Sequence, residues 1–109
     1  MTNVTICSAI MSGRHTLSLE FFPPKSEKAV GQLLKTSKEL KVLSPDFVSI
    51  TYGAGGTTRE STFKYAEHLK DDCGYKVMPH LTCVGHSKRE ILDILNSYSA
   101  SSIKTVMAL

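Results

Sequence analysis

The sequence predicts an α/β fold with parallel strands, wound β-α-β-α-β-α-β. Three observations carry that prediction. Short β-prone runs recur about every 30 residues, the length of one βαβ unit. Amphipathic stretches with helix caps fill the intervals. Along the strands, one face reads apolar while the other collects polar and ionisable residues.

Residues 1–16 mix polar and apolar types without a clear period, and form a segment ahead of the regular unit at 17–109. The first strand-like run is 17–22 (LSLEFF). A helix is predicted over 27–42, with Ser26 as N-cap and Pro45 just past its end. Its stripe is Ala29, Val30, Leu33, Leu34, Leu40 and Leu43. The second strand is 47–52 (FVSITY). A helix over 58–73 follows, opened by the capping-box pattern Thr57-x-x-Glu60 and closed by Gly74 at C′. Phe63, Ala66, Leu69 and Cys73 make its stripe. The third strand is 77–83 (VMPHLTC). Ser87-x-x-Glu90 is a second capping box and starts a helix over 88–99, whose stripe is Ile91, Leu92, Ile94, Leu95 and Tyr98. The fourth strand is 105–109 (TVMAL).

Strands joined through helices are parallel neighbours with right-handed crossovers. Two architectures satisfy this order: a doubly wound sheet, or part of a (β/α)8 TIM barrel. The faces favour the barrel. Leu17, Leu19, Phe21, Val48, Ile50, Val77, Pro79, Leu81, Val106 and Ala108 share the apolar side. Ser18, Glu20, Ser49, Thr51, Met78, His80 and Thr82 share the other. In a doubly wound sheet both faces lie under helices, and central strands read almost continuously apolar. In a barrel, functional residues gather at the C-terminal ends of several strands. Glu20, Thr51 and His80 all fall near those ends on one face. The predicted class is therefore α/β, the first half of a (β/α)8 TIM barrel.

Composition narrows the function. The chain has 109 residues, 41% hydrophobic and 21% charged, which is ordinary for a globular domain. Net charge is +3, and no run of Lys or Arg exceeds two residues, so no nucleic-acid partner is expected. No apolar stretch approaches the length of a membrane span, so no membrane partner is expected. Three cysteines without a C-x-x-C argue against a disulfide framework and fit a reducing, cytoplasmic setting.

Three motifs could carry chemistry. Glu20 sits in Leu19-Glu20-Phe21-Phe22-Pro23-Pro24, where apolar flanks would desolvate a carboxyl and favour a general acid. Residues 51–58 (TYGAGGTT) form a glycine-rich link from strand to helix, suited to an anionic ligand. Position 58 is threonine, so the link is not a G-x-G-x-x-G dinucleotide fingerprint. His80-x-x-Cys83-x-x-His86 has the look of metal ligands but lacks an evident fourth, and no metal is expected.

These residues also form a recognisable set. Glu20-Phe21-Phe22-Pro23-Pro24, then Phe47-Val48-Ser49-Ile50-Thr51-Tyr52-Gly53-Ala54, then Pro79-His80-Leu81-Thr82-Cys83 resemble the methylenetetrahydrofolate reductase family, particularly its bacterial type. The spacing between blocks matches, and Val106-Met107-Ala108-Leu109 resembles that family's fourth strand. The resemblance implies an oxidoreductase barrel holding FAD. NADH or NADPH reduces the flavin, and 5,10-methylenetetrahydrofolate becomes 5-methyltetrahydrofolate. It implies Glu20 as the general acid at the folate N10. It implies Thr51 near the nicotinamide or flavin, and Tyr52, Ala54 and His80 as flavin contacts.

The resemblance is incomplete. The family's fourth strand is followed by Arg-Gly-Asp, whereas this sequence stops at Leu109. Position 102 is serine where the family usually has glycine. Four strands cannot close a barrel. The isolated chain is therefore expected to be unstable or aggregated, to need a homo-oligomer or a complementary barrel half, and to lack reductase activity alone. The competing expectations are a non-catalytic remnant, and a dimerising half-barrel that binds a ligand without turnover.

Overall fold

The computed structural model describes residues 5–53 and 59–109. In chain order the elements are α1 (Ile6–Met11), β1 (Ser18–Phe21), α2 (Glu27–Glu39), a 3-10 turn (Leu40–Leu43), β2 (Phe47–Ile50), α3 (Arg59–Asp71), β3 (Val77–Leu81), α4 (Lys88–Ala100) and β4 (Met107–Ala108). The four strands form one parallel sheet in the order β1-β2-β3-β4. Each strand therefore lies beside the next in sequence, without the reversal of order that marks a doubly wound sheet.

The predicted caps are in place. Ser26 accepts from the Ala29 N–H at 3.2 Å and starts α2. Ser87 and Glu90 make the full reciprocal capping box of α4. At the end of α3 the chain turns through Gly74 at φ +75°, a conformation that L side chains rarely adopt. The Gly74 and Tyr75 N–H groups donate back to Lys70 and Leu69 carbonyls, each at 3.0 Å. The Thr57 cap predicted for α3 lies outside the described residues.

The main core lies between the three long helices and one face of the sheet. Val30, Leu33 and Leu34 of α2, Tyr65, Ala66 and Leu69 of α3, and Ile94 and Tyr98 of α4 pack on Leu19, Phe21, Val48, Ile50, Val77, Leu81 and Val106. That face is the one the alternation predicts.

Four details differ from the sequence reading. First, the N-terminal segment contains a helix. Thr5 caps α1 by accepting from Ser8 N–H at 3.0 Å. Its buried Ile6 meets Phe47 and Met78, with Met107 alongside, on the sheet face opposite the main core. The face read as polar is thus apolar at its N-terminal end and covered there by α1. Second, the helical pattern after Ser26 tightens into the 3-10 turn at Leu40, and Leu43, assigned to the stripe, is 52% exposed. Third, Leu17 precedes β1 and is 46% exposed rather than part of the apolar face. Fourth, β4 is only Met107–Ala108 and pairs on one side, with β3.

Asp46 ties the start of β1 to the start of β2. Its carboxylate accepts from Arg14 at 2.7 Å and from the Leu17 N–H at 2.8 Å. The Asp46 N–H returns a bond to the Leu17 carbonyl at 2.8 Å. The bond from the Arg14 guanidinium, followed by that from the Leu17 amide, holds the Asp46 carboxyl below its ordinary value.

Candidate functional site

Parallel register places Glu20 of β1 directly beside Ser49 of β2. Ser49 Oγ–H donates to Glu20 Oε1 at 3.1 Å. From β3, His80 Nε2 approaches the same Oε1 to 3.1 Å. Three neighbouring strands thus converge on one carboxylate oxygen, towards the C-terminal ends of the sheet.

The His80–Glu20 contact has ion-pair distance without hydrogen-bond alignment. His80 Nε2 is buried and has no hydrogen-bond partner among the described residues. Buried polar atoms are nearly always satisfied, so this ring nitrogen is an exception among the described residues. The His80 side chain is 11% exposed, while that of Glu20 is 49% exposed. The expected desolvation of Glu20 by its flanks is therefore not supplied here, since Phe22 itself is 70% exposed. Alternating strand geometry points Phe21 into the core and leaves Glu20 on the opposite, open face.

The other predicted residues separate. Thr51 follows β2 and is half-buried. Its N–H donates to the Phe21 carbonyl at 3.0 Å, and its carbonyl accepts from Thr62 Oγ1 at 2.9 Å. Tyr52 points to the helix side and joins the main core, away from Glu20. Its hydroxyl lies 2.6 Å from His86 Nε2. Ala54 lies outside the described residues. His80, Cys83 and His86 take different partners: Glu20, the Leu81 carbonyl and Tyr52. Ser49 was legible only as a polar strand residue; its register with Glu20 is what makes it part of the site.

Sequence comparison supplies the family. The family model described as "Methylenetetrahydrofolate reductase" matches residues 5–109. The chain belongs to the methylenetetrahydrofolate reductase family. It is 36% identical over 101 residues to the 5,10-methylenetetrahydrofolate reductase of Pectobacterium carotovorum, covering 93% of this chain and 34% of that protein. It is 35% identical to the Escherichia coli 5,10-methylenetetrahydrofolate reductase over the same shares. The Zea mays protein named methylenetetrahydrofolate reductase (NADH) 1 is 34% identical over 104 residues, or 95% of this chain and 18% of that protein. The chain therefore spans about a third of its bacterial relatives' length. Among the described residues, no helix is long and apolar enough to cross a membrane.

The backbone at position 102 suits the glycine that the resemblance implies there. Ser102 has φ +60°, in the left-handed region that favours glycine. Its N–H donates to the Ser99 carbonyl at 3.0 Å in the turn leaving α4. Serine occupies a backbone conformation there that glycine adopts without a Cβ penalty.

Proposed function

We propose that this chain forms the first half of a (β/α)8 barrel that reduces 5,10-methylenetetrahydrofolate to 5-methyltetrahydrofolate. The convergence of Glu20, Ser49 and His80 on one face carries this reading. Sequential strand order and three long helices on the opposite face support the barrel winding. The names of the relatives support the reaction.

FAD, when bound, supplies hydride transfer from a reduced nicotinamide to the folate's methylene carbon. NADH is the favoured donor, since the maize relative carries that name. His80 fits a cofactor on this face, because its orphaned Nε2 needs a polar partner. Thr51, Tyr52 and Ala54 hold the cofactor region from the link after β2, in part through backbone groups.

Glu20 acts as the proton donor to the folate N10. Both of its recorded contacts fall on Oε1. The Ser49 hydroxyl therefore holds that oxygen, with His80 beside it, and Oε2 is the oxygen that carries a transferable proton. A positioned acid of this kind contributes roughly 100- to 10,000-fold to rate.

The outer edges of β1 and β4 have no strand partner among the described residues. Unpaired edges seek further strands. A complementary barrel half is the proposed partner, with a second copy of the chain as the other source of strands. The setting proposed is the reducing cytoplasm.

The test is a titration of the 109-residue chain with FAD, followed by flavin fluorescence. Saturable quenching that Glu20→Gln leaves intact and His80→Ala weakens supports the reading. NADH oxidation dependent on methylenetetrahydrofolate is then assayed after adding a polypeptide carrying the remaining strands. Turnover that survives Glu20→Gln undiminished refutes the assignment of Glu20.

A further inference from the structure

Behind the open face, the chain segments leaving β2 and β3 are joined by side chains on the helix side of the sheet. Tyr52 is 8% exposed, and its hydroxyl lies 2.6 Å from His86 Nε2. The two rings are 5.8 Å apart and tilted by 58°. The His86 side chain is 5% exposed, and its Nδ1 lies 3.5 Å from Glu90 Oε2. That Nδ1 is buried and has no aligned hydrogen-bond partner among the described residues. Glu90 is itself fixed, because its Oε1 accepts from the Ser87 N–H at 2.9 Å within the capping box of α4.

The chemistry of these atoms assigns their protons. The Glu90 carboxylate can only accept, so the His86 Nδ1 that faces it at 3.5 Å is the ring nitrogen that carries the proton. A neutral imidazole protonated on Nδ1 accepts at Nε2, so the Tyr52 hydroxyl is the donor across the 2.6 Å contact. That carboxyl is held below its ordinary value by the bond from the Ser87 amide and then by the Ser87 hydroxyl. The order hydroxyl, imidazole, carboxylate is the one in which a carboxylate fixes a tautomer and the imidazole fixes a hydroxyl. With the phenol buried in the core, the cluster holds geometry rather than attacking a substrate.

We propose that His86 is a positioning residue: with Nδ1 facing Glu90, it fixes Tyr52 and thereby the backbone leaving β2, beside the cofactor site. This inference rests on the flavin reading above for its functional meaning. Thr62 anchors the adjoining Thr51 carbonyl, so the exit of β2 is pinned by α3 on one side and by the start of α4 on the other.

The test has two arms on the full 109-residue chain. In the first, long-range 1H–15N correlation spectra read the tautomers of the four histidines, with His86 assigned by its loss in His86→Gln. His86 should be protonated on Nδ1 with an accepting Nε2, and Tyr52→Phe should shift that Nε2 resonance. The opposite tautomer, or an Nε2 indifferent to Tyr52→Phe, overturns the proposal. In the second arm, FAD affinity is measured by fluorescence. Loss of a buried hydrogen bond in His86→Ala should weaken binding about tenfold, whereas His86→Gln, which keeps an acceptor, should largely restore it. In the Tyr52→Phe background, His86→Ala should add nothing further. Equal weakening by Ala and Gln would reveal packing alone and also overturn the proposal. If the unmodified chain binds no FAD, the flavin reading of this chain fails, while the tautomer spectra still decide the relay.

Discussion

Replacing Ile6 with alanine tests whether α1 is an integral cover of the sheet. A six-residue helix is far too short to persist alone in water, so α1 must draw its stability from docking. Ile6 is 5% exposed and packs on Phe47 and Met78. Ile6→Ala deletes three carbons, worth about 2.4 kcal/mol at about 0.8 kcal/mol per buried methylene. Better helix propensity returns about 0.4 kcal/mol. The net cost is about 2 kcal/mol, at the low end for such core truncations because the cluster is small. For a chain of this size that lowers Tm by roughly 10 °C. Ile10, on the same helix, is 50% exposed, and Ile10→Ala should stay within about 0.5 kcal/mol of the parent. The assay is thermal and urea unfolding by far-UV circular dichroism at one fixed protein concentration, since association would shift the transition. Equal small effects from both substitutions would refute docking of α1 on this face.

Further outcomes follow from the same structure. Ser102→Gly relieves the left-handed strain and should stabilise the chain by up to about 1 kcal/mol in urea unfolding, after the greater freedom of glycine in the unfolded chain is subtracted. Ser87→Ala removes the side-chain half of the capping box, leaves the backbone N–H of position 87 bonded to Glu90, and should cost about 1 kcal/mol by the same assay. Asp46 has a folded pKa below its ordinary 3.8, so its contribution is fully present above that value and fades as pH falls through the folded pKa. Asp46→Asn should therefore lower Tm at neutral pH and flatten its fall below about pH 4, as a Tm-against-pH series will show. Ser49→Ala frees one side of a half-exposed Glu20; with solvent screening the loss is about 1 kcal/mol, or roughly fivefold in reductase rate once the complementary half is supplied.

Local patterns were legible without a structure because local interactions write them. The caps at Ser26 and Ser87 depend on residues three apart, and both formed as read. Alternation along β1, β2 and β3 sorted Phe21, Val48, Ile50 and Leu81 from Glu20, Ser49 and His80, because successive side chains leave a strand on opposite sides. Less was visible wherever one element depends on a distant one. Residues 5–11 span too few turns to show a helical period, and α1 exists through contact with strands about 40 and 70 residues away. The fourth strand is shorter than read, pairing with β3 through Met107 and Ala108 alone.

The sequence by itself determined an alternating chain with parallel strands, an apolar face for its helices, and a glutamate and a histidine on the other side. Those are properties of period and residue type. Only the tertiary structure decided that Ser49 and His80 share one oxygen of Glu20, since that requires the register of three strands. Only it decided that Tyr52 turns inward to His86 while Glu20 stays half open to solvent. Side-chain alternation supplies the two faces, but hydrogen-bonded register between segments about 30 residues apart selects which atoms meet.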